Sequence, residues 1–124
     1  MEKIGKHSVK IPIYNIQTEL YIGKESIPSN MDIKTEGVDG SVQVAQRDGV
    51  QKVVIFLKKM EWTTYDIGLL VHELYHAVNK VHLIIGVEDA IDEEFWAYML
   101  QYLTVEYSKK INSKKFKSKL KDNK

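Results

Sequence analysis

The chain contains no cysteine among its 124 residues, which excludes disulfide cross-links and thiolate metal ligands together. No apolar run approaches the roughly 20 residues needed to span a bilayer. The N-terminal stretch MEKIGKHSVK carries charge but is not followed by the apolar core of a signal peptide. No membrane partner is therefore expected, and the chain is expected in the cytoplasm. Internal repeats and low-complexity linkers are also missing. At this length, with 44% hydrophobic residues, one domain with a real core is expected without covalent staples.

Neither sign of charge is in excess overall, since the formal net charge is only +1. The balance hides an asymmetry. The last seventeen residues, from Ser108, hold eight Lys and one Asp, leaving ten basic against sixteen acidic residues in the rest of the chain. No aromatic interleaving and no Arg-rich pattern accompanies the lysines, so nucleic acid is not an expected partner, and residues 112–124 read as a solvated basic tail on a domain spanning 1–111.

Hydropathy patterning gives an α+β class, with a small antiparallel or mixed sheet of about three strands followed by two helices. Residues 10–22 alternate apolar positions around Asn15 and read as one long or two short strands, with Ile13 inside them. Residues 26–36 form a short helix or a loop. Segments 41–47 and 52–58 flank Asp48 and Gly49, and the β-branched residues on both sides make this a hairpin signal. Sequence leaves open which hairpin strand is the exposed edge.

From 64 to about 85 the spacing predicts a helix, with Ile67, Leu70, Val71, Leu74, Ala77, Val78 and Val81 as its apolar stripe. Thr63 and Asp66 resemble a capping box with Asp in place of Glu, and Gly86 suits the C-terminal stop. His72, Glu73, Leu74, Tyr75 and His76 spell HELYH, an HExxH pattern. On a helix it sets two imidazoles one turn apart, both able to reach a metal at about 2.0–2.1 Å, with a carboxylate beside them to take a water's proton. Both histidines oppose the apolar stripe, as ligands and not core histidines should. The pattern predicts a zinc-dependent hydrolase, a peptidase before other kinds.

A catalytic zinc usually has a third protein ligand and an open position. Two candidates follow the motif. His82 fits HExxHxxGxxH if Asn79 replaces the glycine. Glu94 opens a second helix, which Asp92 and Glu93 begin and which runs to about Tyr107 or beyond, with Trp96, Met99, Leu100, Leu103 and Tyr107 as its apolar stripe. If the first helix continues to Gly86, His82 lies about 80° from His72 and about 120° from His76 around the axis and cannot converge with them. His82 is then a solvent-facing residue near a helix end, suited to the dipole. Glu94 shares a face with Ala97, Tyr98, Gln101 and Val105, and at the buried front of a helix a carboxylate needs a partner such as a metal.

HELYH followed after seventeen residues by Glu94 in an ExxA setting resembles the gluzincin arrangement of thermolysin-like and aminopeptidase-like zinc enzymes. The small size resembles the single-domain minigluzincins, and DEEFWAYMLQYL after HELYH is similar to short HExxH proteins of phages and prophages. The resemblance covers about residues 40–107. It implies a zincin-like fold, one zinc ion held by His72, His76 and Glu94, Glu73 as general base, and a peptide or protein substrate. For a phage-encoded chain the compartment would be the host cytoplasm. The lack of cysteine argues against the peptide-deformylase variant, in which a Cys completes the metal set. Thermolysin-like enzymes carry an acid four residues after the ligand Glu, where this chain has Tyr98. Tyr98 and Tyr75 are candidates for orienting a ligand histidine or for donating to an oxyanion. The alternative from another class is a catalytically silent, zinc-stabilised binding or assembly protein.

Overall fold

A computed structural model describes residues 5–12, 14, 16–47, 49–86 and 93–112. The element order is β1 (Lys6–Ile11), β2 (Ile16–Ile22), a 3-10 turn (Lys24–Ser26), β3 (Gly40–Arg47), β4 (Val50–Leu57), α1 (Thr64–Ile85) and α2 (Glu93–Ile111). The expected Ile13, Asn15, Asp48 and Asp92 positions and the tail from Ser113 lie outside the described residues.

The sheet is four-stranded and mixed, in the order β1-β2-β4-β3. β1 and β2 pair antiparallel, as do β3 and β4, whereas β2 and β4 run parallel. The segment expected as one or two strands is therefore two, the first starting at Lys6. The parallel step puts β4 inside the sheet and leaves β3 as an edge. Among the described residues no backbone hydrogen bond is made to its outer side. The question of the exposed hairpin strand is thereby settled.

Strand alternation gives the sheet two faces. Val9, Ile11, Ile16, Leu20, Val53, Ile55 and Leu57 point to one face and join Leu70, Leu74, Ala77, Val78 and Val81 of α1 and Met99, Leu103, Tyr107 and Ile111 of α2 in a single core. Fully burying each large aliphatic side chain is worth about 1.5–3 kcal/mol. α1 rests on β3 and β4, and α2 rests on β1. On the second face Glu19, Tyr21, Val54 and Phe56 are also buried. The Glu19 carboxylate lies between the ammonium groups of Lys6 and Lys52, at 3.6 and 3.5 Å.

Local chemistry sets the limits of α1. The Thr63 Oγ1 accepts the Asp66 backbone N–H at 3.1 Å, and Gly86 stops the helix at φ 77 with its N–H donating to the His82 carbonyl at 3.0 Å. That left-handed φ costs glycine nothing. Only half of the capping box forms, because the Asp66 carboxylate is drawn back to accept the Glu61 N–H at 2.8 Å. The apolar stripe also differs from expectation: Ile67 and Val71 are exposed, while Asp66, Glu73 and His82 are buried. The reason lies in α2, whose ring contacts reach α1 at Tyr75 and His82, in the C-terminal half. The same angular sector is covered there and open nearer the N-terminus.

Candidate metal and catalytic site

In the middle of α1, His72 and His76 are exposed one turn apart with their Nε2 atoms separated by 3.2 Å. Their rings are nearly perpendicular, at 78°. Two nitrogens on one tetrahedral zinc at 2.0–2.1 Å would be about 3.3 Å apart, so the pair fits a shared cation. A single proton between the two nitrogens would hold them at a similar distance.

Glu73 turns the other way, into the seam between α1 and the sheet, and is 4% exposed. Its Oε2 has no hydrogen-bond partner among the described residues. Burial pushes its carboxyl above the usual carboxylate range, and the neighbouring His72 and His76 pull it part of the way back. Ligand atoms of His72, Glu73 and His76 all lie within 4.8 Å of one another. Two convergent imidazoles suit a divalent cation, and a buried carboxylate with an unused lone pair beside them suits proton transfer.

Glu73 has room there because of Gly40. A Cβ on Gly40 would stand 2.9 Å from Glu73 Cγ, 3.1 Å from its Cδ and 3.1 Å from the Phe56 carbonyl oxygen. The edge strand therefore approaches the helix at the one residue that carries no side chain. Tyr65, two turns before His72, donates its hydroxyl to Asp39 Oδ2 at 2.6 Å and ties the loop before β3 to the same face of α1. Periodicity gives no signal for either feature, since each arises from a contact between distant segments.

The other expected residues fall as follows. Tyr75 packs its ring on Trp96 at 4.4 Å and lies 6.0 Å from the His76 ring, which brings the first turns of α2 alongside the second histidine. Glu94 is exposed and stands outside the His72–Glu73–His76 group. The face it shares with Ala97, Tyr98, Gln101 and Val105 is exposed throughout, not wrapped in protein. Tyr98 is 64% exposed and among the described residues makes no hydrogen bond to either histidine.

His82 is buried, not solvent-facing as its place near the helix end predicts. It is 4% exposed, with Nδ1 donating to the Val78 carbonyl at 2.9 Å and its ring 5.3 Å from Phe95 and 5.8 Å from Trp96. The packing of α2 over the end of α1 encloses it.

No helix among the described residues is long and apolar enough to cross a membrane. Comparison of the chain with protein-family models, with curated proteins and with solved structures found no match in any of the three.

Proposed function

We propose that this chain is a zinc-dependent peptidase of the gluzincin kind. The observation that carries the reading is the 3.2 Å approach of the His72 and His76 Nε2 atoms beside the buried Oε2 of Glu73, which has no hydrogen-bond partner among the described residues. His72 and His76 hold one zinc ion, and Glu94, which follows the HELYH motif at the gluzincin spacing, supplies the third ligand. A zinc ion held there would supply Lewis-acid polarisation of a carbonyl and activation of a water. Glu73 accepts the proton of the attacking water at Oε2 and delivers it to the leaving amine.

The substrate in this reading is an extended peptide or protein segment. β3 is paired by a strand on one side only, and although the Ser41 and Gln43 side chains hold the backbone of Lys34 there, such a segment would add along its remaining main-chain groups, with Gly40 opposite Glu73. Neither a membrane nor a nucleic acid belongs to it.

Glu73→Gln tests the proposal. The substitution should leave zinc content and thermal unfolding nearly unchanged, because Glu73 is not a ligand, while hydrolysis of a peptide library falls by about a hundredfold or more. Wild-type protein that holds zinc and cleaves nothing in a broad library would support the zinc-stabilised binding protein instead. Protein that takes up no zinc would overturn both.

A further inference from the structure

Tyr65, Leu69 and Glu73 follow one another at intervals of four along α1 and so form a single row on the helix. Both ends of that row meet the start of β3. At one end a Cβ on Gly40 would stand 2.9 Å from Glu73 Cγ, so the strand backbone lies on the glutamate with no room for a side chain between them. At the other end the Tyr65 hydroxyl donates to Asp39 Oδ2 at 2.6 Å. Asp39 is the residue before Gly40, so one row of the helix holds the same short stretch of backbone twice.

That stretch has few other ties. β3 is an edge strand, paired by a strand on one side only, and although the Asp39 carbonyl accepts the Lys58 N–H at 2.8 Å, that bond runs to the end of β4 and not to the helix. Among the described residues the Tyr65–Asp39 pair is the one side-chain hydrogen bond between α1 and residues 37–47. Tyr65 is 62% exposed, so its ring buries little and its hydroxyl makes the tie. The hydrogen bond to the Asp39 carboxylate holds the phenol above its ordinary value, which keeps it a donor throughout the neutral range. Glu73 Oε2 has no hydrogen-bond partner among the described residues, so packing sets its direction, and Gly40 is part of that packing.

We infer that Tyr65 and Asp39 are positioning residues for Glu73: their hydrogen bond holds the start of β3 down on α1, and Gly40 then keeps the Glu73 carboxyl in place and away from water. The inference rests on the peptidase reading for its effect on hydrolysis but not for the packing it describes.

The test reads the Glu73 carboxyl directly, as its rate of amidation by a water-soluble carbodiimide and glycinamide in the purified full chain, located by fragment mass spectrometry. Tyr65→Phe keeps the ring and removes the donor. Glu73 should then be amidated about three- to tenfold faster, the scale of one exposed charge-assisted hydrogen bond, while Glu19, buried on the other face of the sheet, reacts at the wild-type rate. Asp39→Ala should do the same, and Asp39→Asn, whose amide oxygen still accepts, should restore most of the protection. The Tyr65→Phe/Asp39→Ala double variant should react no faster than either single one, because both remove the same bond. An unchanged Glu73 rate in both single variants, or an equal gain at Glu19, overturns the inference. In zinc-loaded Tyr65→Phe the kcat for a short peptide should fall by a similar factor, with zinc content unchanged and KM within about twofold. Faster amidation with an undiminished kcat refutes the positioning role, whereas wild-type protein that cleaves nothing refutes the peptidase reading and leaves the amidation rates to decide the rest.

Discussion

Two residues compete in sequence for the third place at the proposed metal, and their environments differ. His82 is enclosed between Phe95 and Trp96 with its Nδ1 proton committed to the Val78 carbonyl; it is a packing residue whose Nε2 has no hydrogen-bond partner among the described residues. Glu94 is exposed. His82→Ala is accordingly expected to leave zinc affinity unchanged while lowering stability by about 1–3 kcal/mol, the range for opening a hole in a packed seam. Glu94→Ala is expected to do the reverse, weakening zinc about tenfold or more with little change in unfolding. Calorimetric zinc titration together with denaturant melts reads both. If His82→Ala strips the metal and Glu94→Ala does not, the ligand assignment is wrong and the HExxHxxGxxH alternative holds.

The contact between β3 and α1 decides how the buried carboxylate is presented. Gly40→Ala puts a methyl group within 3.1 Å of both Glu73 Cδ and the Phe56 carbonyl oxygen. Either the strand or the glutamate must shift, at a cost of about 1–3 kcal/mol. Hydrolysis should fall more than zinc affinity does, because it is Glu73 and not either histidine that meets the added methyl group. Measuring stability in a Gly40→Ala/Glu73→Ala double variant isolates the cause: the cost should shrink when the Glu73 side chain is absent, and an unchanged cost would assign the strain to Phe56 alone.

α2 is tied to the sheet by a different chemistry. Thr18 Oγ1 donates to the Val9 carbonyl at 2.8 Å, so the Tyr107 hydroxyl, 2.6 Å from the same oxygen, is the donor in that pair. Burial raises the Tyr107 phenol well above its ordinary value. The unfolded chain gives up this proton near pH 10 and the folded chain keeps it, so the stabilising contribution is complete below about pH 10 and is lost above it, at about 1.4 kcal/mol per pH unit. Tyr107→Phe should flatten that alkaline slope in melts between pH 9 and 12, whatever it does at neutral pH. An unaltered slope would mean that another group governs alkaline unfolding.

For the whole molecule, the basic tail should be dispensable. Beyond Asn112 it offers only Phe116 and Leu120 as large apolar residues among its lysines, too few to contribute much to a core. The cut must spare Ile111, which is fully buried against the core. Ending the chain after Asn112 should preserve zinc content, thermal stability and any hydrolysis of a short neutral peptide; a truncated chain that unfolds or loses zinc would make the tail part of the site.

Sequence by itself determined the features that depend on neighbours along the chain. The α+β class, the limits of α1 from Thr63 to Gly86, the hairpin around Gly49, and the outward turn of His72 and His76 all follow from period, capping and turn chemistry acting over a few residues. Tertiary structure decided what depends on partners far away in the chain. It added a fourth strand, because residues 6–11 become a strand only by pairing with β2. It made β3 the edge through the parallel β2–β4 pairing, which no local pattern encodes. It exposed Ile67 and Val71 and buried Glu73 and His82, because a helix's apolar arc is set by what lies against it at each turn, and α2 and β3 meet α1 at different heights.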